Sequence, residues 1–365
     1  MRGPRDNACT LPPVTRVPYV AGLVLCLAAC QGKHEASPSP SQSSAQLAAA
    51  SSAAVAPSAS AAVASASASA AGSAAPPTSA EPGVAAGAPY VADAKVYPWL
   101  GDDRELPKPE ASLEARFPAP PGYKRVKVDA GSFAEWLRGL PMAAEDTPVK
   151  SFDGRETLAA GDDYLAGVVA IDTGSPDLQQ SSDVIIRLHA EYLWSRGEKD
   201  QISYRSATKL SMPFSRWEKG QRLIPSGANV FWVIKNKAGG EVDHAEFRRY
   251  LDAVFNWANS TSLATRSTPV APEAVTAGDF FLQSQEPNHV AVVLDIAEKP
   301  SGERVALLGQ ARNPAESIHV VRPGKATPWF SMRPPVPVLT PHSKALKWSD
   351  LRRMSVAAPP AETEK

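Results

Sequence analysis

No aromatic residue occurs between Tyr19 and Tyr90, in a chain of 365 residues whose eight tryptophans all lie between Trp99 and Trp348. Within that gap, Ala36 to Pro89 is about four-fifths Ala, Ser and Pro and holds no Lys or Arg. Alanine favours helix, but the interleaved Ser and Pro oppose it, and a segment without large apolar side chains has no face to bury. The sequence therefore predicts a disordered tether over 30–89. With about 55 residues at 5–6 Å per root residue, its typical reach is roughly 40 Å. A core must come from the roughly 260 residues that follow, enough for one well-buried domain or two small ones. We expect a single globular domain over 90–354 and a frayed tail over 355–365.

The first 29 residues read as an export signal. Arg2, Arg5 and Arg16 make a weakly basic leader, and Val20 to Ala29 form a short apolar run. About ten residues is too short for the ~20 that span a bilayer as a helix. The run ends in Leu27-Ala28-Ala29-Cys30, which resembles the bacterial lipobox, where small residues admit the peptidase and the following thiol takes the lipid. The alternative is a simple secretory signal in which Cys30 is incidental. Of Cys9, Cys26 and Cys30, only Cys30 survives processing, so the mature protein is expected to have no disulfide, no cysteine-based metal site and no cysteine nucleophile. In a Gram-negative cell, Gln31 after the lipidated residue fits the outer membrane, and several acyl chains give stable anchoring.

In the folded part, Ser132-Phe133-Ala134-Glu135 is a capping-box pattern. Phe133, Trp136, Leu137 and Leu140 follow on one apolar face, and Pro141 ends the helix. A second helix is predicted from about Leu178 to Arg196, with Gly197 as its stop, and a third from Asp243, burying Phe247, Tyr250, Leu251, Val254 and Phe255. Gly167 to Asp172 reads as a buried strand. Asp279–Leu282, His289–Ile296, Arg304–Leu308 and Ile318–Val321 read as short strands, with a hairpin turn at Glu298–Gly302 and another turn at Gly239-Gly240. Helices followed by an antiparallel meander argue for an α+β fold.

Three residues carry possible chemistry. Ser181 shares a helical face with Ile185, Leu188 and Tyr192, which places a hydroxyl on the apolar side of a helix N-terminus. Such a serine is either a cap or locally bonded residue, or a nucleophile beside free N–H groups. His289 opens an apolar strand, as a base would, or else is a partly buried histidine bonded to backbone. Gln310, at the end of the next strand, is the candidate to orient it.

Gly278-Asp279-Phe280-Phe281 followed by His289-Val290-Ala291-Val292-Val293 resembles the strand pattern of NlpC-type and amidase members of the papain-like superfamily. In those enzymes a nucleophilic cysteine sits at a buried helix N-terminus, a strand-borne histidine is the base, and a polar residue on the next strand orients it. The resemblance implies those roles for Ser181, His289 and Gln310, which occur in that order.

A longer resemblance, over about residues 95–353, identifies the chain as a member of the bacterial envelope family called domain of unknown function 4846. It is carried by Arg116-Phe117, Pro121-Gly122-Tyr123, Ser132 to Arg138, Asp177 to Gln180, Ile186 to Tyr192, Phe247 to Leu251, Gly278 to Phe281 and Leu351-Arg352-Arg353. The family pattern has Cys-Ala-Asp where this chain has Ser181-Ser182-Asp183, and Gly-Gln-Gly-Tyr-Met-Pro-Ala-Gln where it has Gly309 to Glu316. A serine hydroxyl lacks the nucleophilicity of a thiol, so the resemblance implies a weak serine variant or a binding-only relative.

Other chemistries are excluded or mundane. With 38 basic and 38 acidic residues there is no basic footprint for nucleic acid. His34, His189, His244, His289, His319 and His342 are scattered without metal-ligand spacing, and there is no phosphate loop, so no metal or cofactor is expected. Arg187 and Glu191 are an i, i+4 pair, either solvated or partly buried, or lining a cleft. Trp194, Trp217, Trp232 and Trp257 are either core or a sugar-stacking surface. The expected function is a lipid-anchored envelope protein with a papain-like, hydrolase-type cleft for peptide or amide ligands such as peptidoglycan stems. The alternative is a non-catalytic cell-envelope scaffold or binding protein that uses the same cleft, or none, to bind a partner such as peptidoglycan or an envelope protein.

Overall fold

In the computed structural model, residues 90–235, 241–284, 288–341 and 343–355 are described. The leader, Cys30, the tether, Gly239-Gly240, His34, His342 and the tail beyond Ser355 lie outside the described residues.

The centre of the fold is a nine-stranded antiparallel sheet. Its strands in chain order are β1 (Lys124–Arg125), β2 (Leu165–Val168), β3 (Ser267–Pro269), β4 (Phe280–Gln283), β5 (His289–Glu298), β6 (Arg304–Gln310), β7 (His319–Val321), β8 (Phe330–Met332) and β9 (Leu351–Met354). They run β3-β9-β4-β5-β6-β7-β2, with β1 beside β5 and β8 beside β6. The helices are α1 (Leu113–Arg116), α2 (Phe133–Arg138), α3 (Asp183–Ser195), α4 (Phe214–Glu218), α5 (His244–Phe255) and α6 (Ser260–Thr265). This is the expected mixed α+β class.

The long strands β5 and β6 are apolar at nearly every position because both faces are covered. Val290, Val292, Leu294 and Leu307 join the helix-bearing core, whereas Ala291, Val293, Ala306 and Leu308 join a second core with Phe281, Phe330 and Trp348. The alternation slips once. The pairing of β5 with β6 shifts register between Val293 and Asp295, so that Asp295 stays on the helix side with Leu294. Gly309, the partner of Val292 on β6, leaves room for the Leu294 side chain: a Cβ there would stand 2.7 Å from Leu294 Cδ1. The slip delivers Asp295, fully buried, to Arg125 Nε at 2.6 Å and Arg138 Nε at 2.8 Å, tying β1 and α2 to the sheet.

Three expectations are corrected. The chain does not run helices first: four two-stranded sheets lie among the helices, including the hairpin of Gln221–Ser226 with Asn229–Ile234. Most of these strands are two or three residues long, too short to show a period of two. The strand expected at Gly167–Asp172 is β2, ending at Val168, after which Val169 N–H turns to Ile318 O. The helix expected from Leu178 begins at Asp183, because Pro176 and the tight Gln180 N–H to Leu178 O contact at 2.7 Å keep 176–182 out of helical geometry.

Candidate functional site

Ser181 therefore sits two residues before α3, in a turn held from outside. Its N–H donates to Asn313 Oδ1 at 3.1 Å, and Ala315 N–H donates to Asp177 Oδ1 at 2.7 Å, which fastens the loop between β6 and β7 onto the start of the helix. Asp183 lies buried at the first helical position, accepting Gln180 N–H at 3.2 Å. Burial pushes its carboxyl well above the usual carboxylate range.

The structure brings Ser181, His289 and Gln310 together. Ser181 Oγ lies 3.2 Å from His289 Nδ1, and His289 Nε2 lies 2.9 Å from Gln310 Oε1. Val290 N–H donates to Ser181 Oγ at 2.9 Å. The row continues to His319, which sequence reasoning passed over as scattered. Gln310 Nε2 is 3.3 Å from His319 Nε2, and His319 Nδ1 is 3.0 Å from Ser317 O.

Each proton in this row is set by its neighbour. A carbonyl only accepts, so His319 Nδ1 carries the proton and its Nε2 accepts from the Gln310 amide. That turns Gln310 Oε1 toward His289, which must donate from Nε2. His289 Nδ1 is left with a lone pair for the Ser181 hydroxyl. Burial pushes the His289 pKa down, with the Gln310 hydrogen bond opposing it, so the ring is neutral near pH 7. The chemistry available is a hydroxyl beside an oriented general base.

Access is restricted. Ser181 is 2% exposed and His289 8%. Three cavities among the described residues, of about 720, 600 and 370 Å3, are lined by other residues. Ser317, which ends the row, does line the 720 Å3 cavity together with Arg104 and Asp172.

Asp172 opens the segment leading to Ser181, and it anchors an ionic cluster that the sequence showed only in part. Arg187 and Glu191, expected to be solvated, partly buried or on a cleft, are both fully buried and 2.8 Å apart. Arg187 also reaches Asp172 Oδ1 at 2.8 Å and Gln179 Oε1 at 2.8 Å. Arg248 and Arg104 approach Asp172 Oδ2 at 3.2 and 3.3 Å, and Arg248 also binds Asp252. Burial opposes ionisation of Asp172, but the three guanidiniums outweigh it and hold the carboxyl well below its usual range. No i, i+4 spacing could reveal partners contributed by Asp172 and α5.

His244 extends the cluster, with Nδ1 2.9 Å from Asp102 and Nε2 2.8 Å from Glu191. Arg104 beside Asp102, Arg187 beside Glu191, and the rings of Trp194 and Phe247 complete its surroundings. Burial pushes the ring's pKa down, but the carboxylates override it and the net shift is upward. A raised folded pKa gives stability that is present in full below about 6.5 and lost as pH rises through the folded value. His244→Gln is expected to cost about 1.5–3 kcal/mol at pH 6, the range for hydrogen bonds to charged groups. The gap from wild type in denaturant melts should shrink toward pH 9; a gap independent of pH refutes a charged imidazole.

The four tryptophans do not form a shared face. Trp194 stacks on Phe247 with centroids 4.4 Å apart, Trp217 meets Tyr250 edge-on at 5.8 Å, and Trp232 and Trp257 pack against the same core. Among the described residues there is no cluster of His, Cys, Asp and Glu able to hold a metal ion, and no helix long and apolar enough to cross a membrane.

No curated protein and no solved structure matches the chain. A family model described as Domain of unknown function (4846) matches residues 113–353. The chain belongs to that family.

Proposed function

We propose that the protein is a lipid-anchored envelope protein whose domain carries a papain-like site with serine at the nucleophile position, acting weakly or not at all on peptide or amide bonds of the peptidoglycan-stem type. The observation that carries this reading is the geometry of Ser181, His289 and Gln310, at 3.2 and 2.9 Å in the required order. The placement of base and orienting residue on adjacent antiparallel strands, with the nucleophile just ahead of a helix packed on the sheet, supports the papain-like assignment.

In the hydrolytic reaction, Ser181 Oγ attacks the carbonyl carbon while its proton passes to His289 Nδ1. The imidazolium, steadied by Gln310 Oε1, returns that proton to the departing amine. Water then cleaves the acyl-serine with the same base. His319 touches no substrate in this scheme; it is a positioning residue that fixes the Gln310 amide.

A binding-only reading is favoured by one feature of the same site. The Ser181 N–H, which a developing oxyanion would use, is already taken by Asn313 Oδ1 at 3.1 Å. The test is incubation of the purified protein with sacculi, reading both retention and release of new amine termini. Release that disappears in His289→Gln supports hydrolysis; retention without release supports binding. If neither occurs with a folded protein, the peptidoglycan ligand is wrong.

Anchoring rests on the Leu27-Ala28-Ala29-Cys30 sequence. Cys30→Ser is expected to move the protein from the membrane pellet to the soluble fraction. Unchanged partitioning overturns lipidation at this residue.

A further inference from the structure

The cavity of about 600 Å3 lies between α2, α3 and the turn before β4, and it shares no residue with the Ser181 row. Phe133, His189, Tyr192, Leu193, Gly278 and Met354 line its apolar part. Phe133 meets Tyr192 tilted at 5.1 Å and His189 edge-on at 5.8 Å, so the lining presents an aromatic surface of fixed orientation. Gly278 keeps the space beside Phe133 open: a Cβ there would stand 2.7 Å from the Phe133 ring. A volume of this size lies within the range of small-molecule sites.

Among the buried residues of the lining two carry polar side chains, Asp279 and His189, while Lys127, Asp129 and Thr276 stand at the exposed rim. The His189 ring is 9% exposed, and burial, with Arg266 adding to it, lowers its pKa to about 3, so it is neutral throughout the physiological range. Its Nδ1 is turned to Tyr204 Oη at 3.1 Å. Its Nε2 has no hydrogen-bond partner among the described residues, although the ring borders the cavity. The Tyr204 hydroxyl has two acceptors in reach, His189 Nδ1 and Ile186 O at 3.3 Å. If its proton goes to His189, Nε2 donates; if it goes to Ile186, Nε2 accepts. A hydroxyl group on a ligand satisfies either state.

Charge argues for a neutral guest. Asp279 lines the cavity but is paired with Arg353, at 2.6 and 2.8 Å, and His189 is uncharged. Of the other charged lining residues, Glu198 is paired with Arg196 at 3.0 Å and Lys127 and Asp129 are exposed at the rim, so a charged group on the buried floor would lose its water without gaining a counter-charge there. We propose that this cavity binds a small neutral aromatic molecule bearing a hydroxyl group, which hydrogen-bonds to His189 Nε2 while its ring packs on Phe133. This site is independent of the hydrolase reading.

The test uses the full chain, labelled with 15N in histidine, titrated with 4-methylphenol and with its hydroxyl-free counterpart toluene. The expected result is a saturable shift of the His189 ring-nitrogen resonance, with 4-methylphenol binding about fivefold tighter, the effect of one ordinary hydrogen bond. His189→Leu, titrated with both probes by calorimetry, should remove that preference. If this variant fails to fold, Ala134→Trp, which fills the cavity from α2, should abolish the shift. No saturable shift, equal affinity for the two probes, or a shift that survives Ala134→Trp overturns the proposal.

Discussion

Replacing Arg187 by methionine is expected to destabilise the domain by about 3–5 kcal/mol, the cost of leaving buried charge unpaired. Arg187 is fully buried and donates to Glu191 at 2.8 Å, to the Asp172 carboxylate at 2.8 Å and to Gln179 at 2.8 Å. Methionine keeps much of the volume but offers no donor. Two features pull the value toward the low end. Asp172 retains Arg248 at 3.2 Å and Arg104 at 3.3 Å, and Glu191 retains His244 at 2.8 Å. Urea unfolding at pH 7 measures the effect, and a loss below about 1 kcal/mol, the scale of surface pairs, refutes it. Combining Arg187→Met with Glu191→Gln should cost less than the sum of the two single changes, because one removes the charge the other strands.

The same substitution should reach the candidate site. Asp172 and Gln179 bracket the segment that delivers Ser181, and Arg187 binds both ends of it from α3. Its loss frees that segment on one side, leaving Asn313 and the Asp177 contact on the other. In His-labelled protein, the His289 ring resonances should broaden in Arg187→Met while those of His319, held by Ser317 O at 3.0 Å, stay sharp.

This dependence explains how much could be read from sequence. The strands β4 to β6 were legible because continuous apolar runs announce a sheet buried on both faces, and α5 because its capped 3.6-residue period is clean. Ser181, His289 and Gln310 were legible only as positions in an order. The start of α3 was not, since the apolar spacing of Ser181 with Ile185 continues past a turn that tertiary hydrogen bonds impose. His319 was missed because its value depends on register: it stands opposite Gln310 across β6 and β7. That pairing is set by an eight-residue loop (residues 311–318) whose geometry Asn313 and Asp177 determine. Of the buried cluster around Asp172 only the Arg187–Glu191 pair showed, because its charges come from four separate parts of the chain.

Ser181→Cys is expected to raise amide or ester hydrolysis of muropeptide-like substrates by about a hundredfold or more. A neutral serine must lose its proton in the transition state, so its rate depends on His289 as a base already weakened by burial. A thiol in the same place, with Nδ1 3.2 Å from the present hydroxyl, can transfer its proton beforehand and attack as thiolate. The thiol pKa then provides a readout separate from turnover. Alkylation by iodoacetamide should proceed below the usual thiol range near 8.5, and His289→Gln in the same background should return it there. Asn313 sets the remaining obstacle, because its side chain occupies the Ser181 N–H at 3.1 Å. Adding Asn313→Ala to Ser181→Cys should increase hydrolysis further if that N–H belongs to an oxyanion hole. A perturbed thiol with no gain in hydrolysis, in either background, would place the residue in a ligand-binding pocket whose base and nucleophile have outlived their reaction.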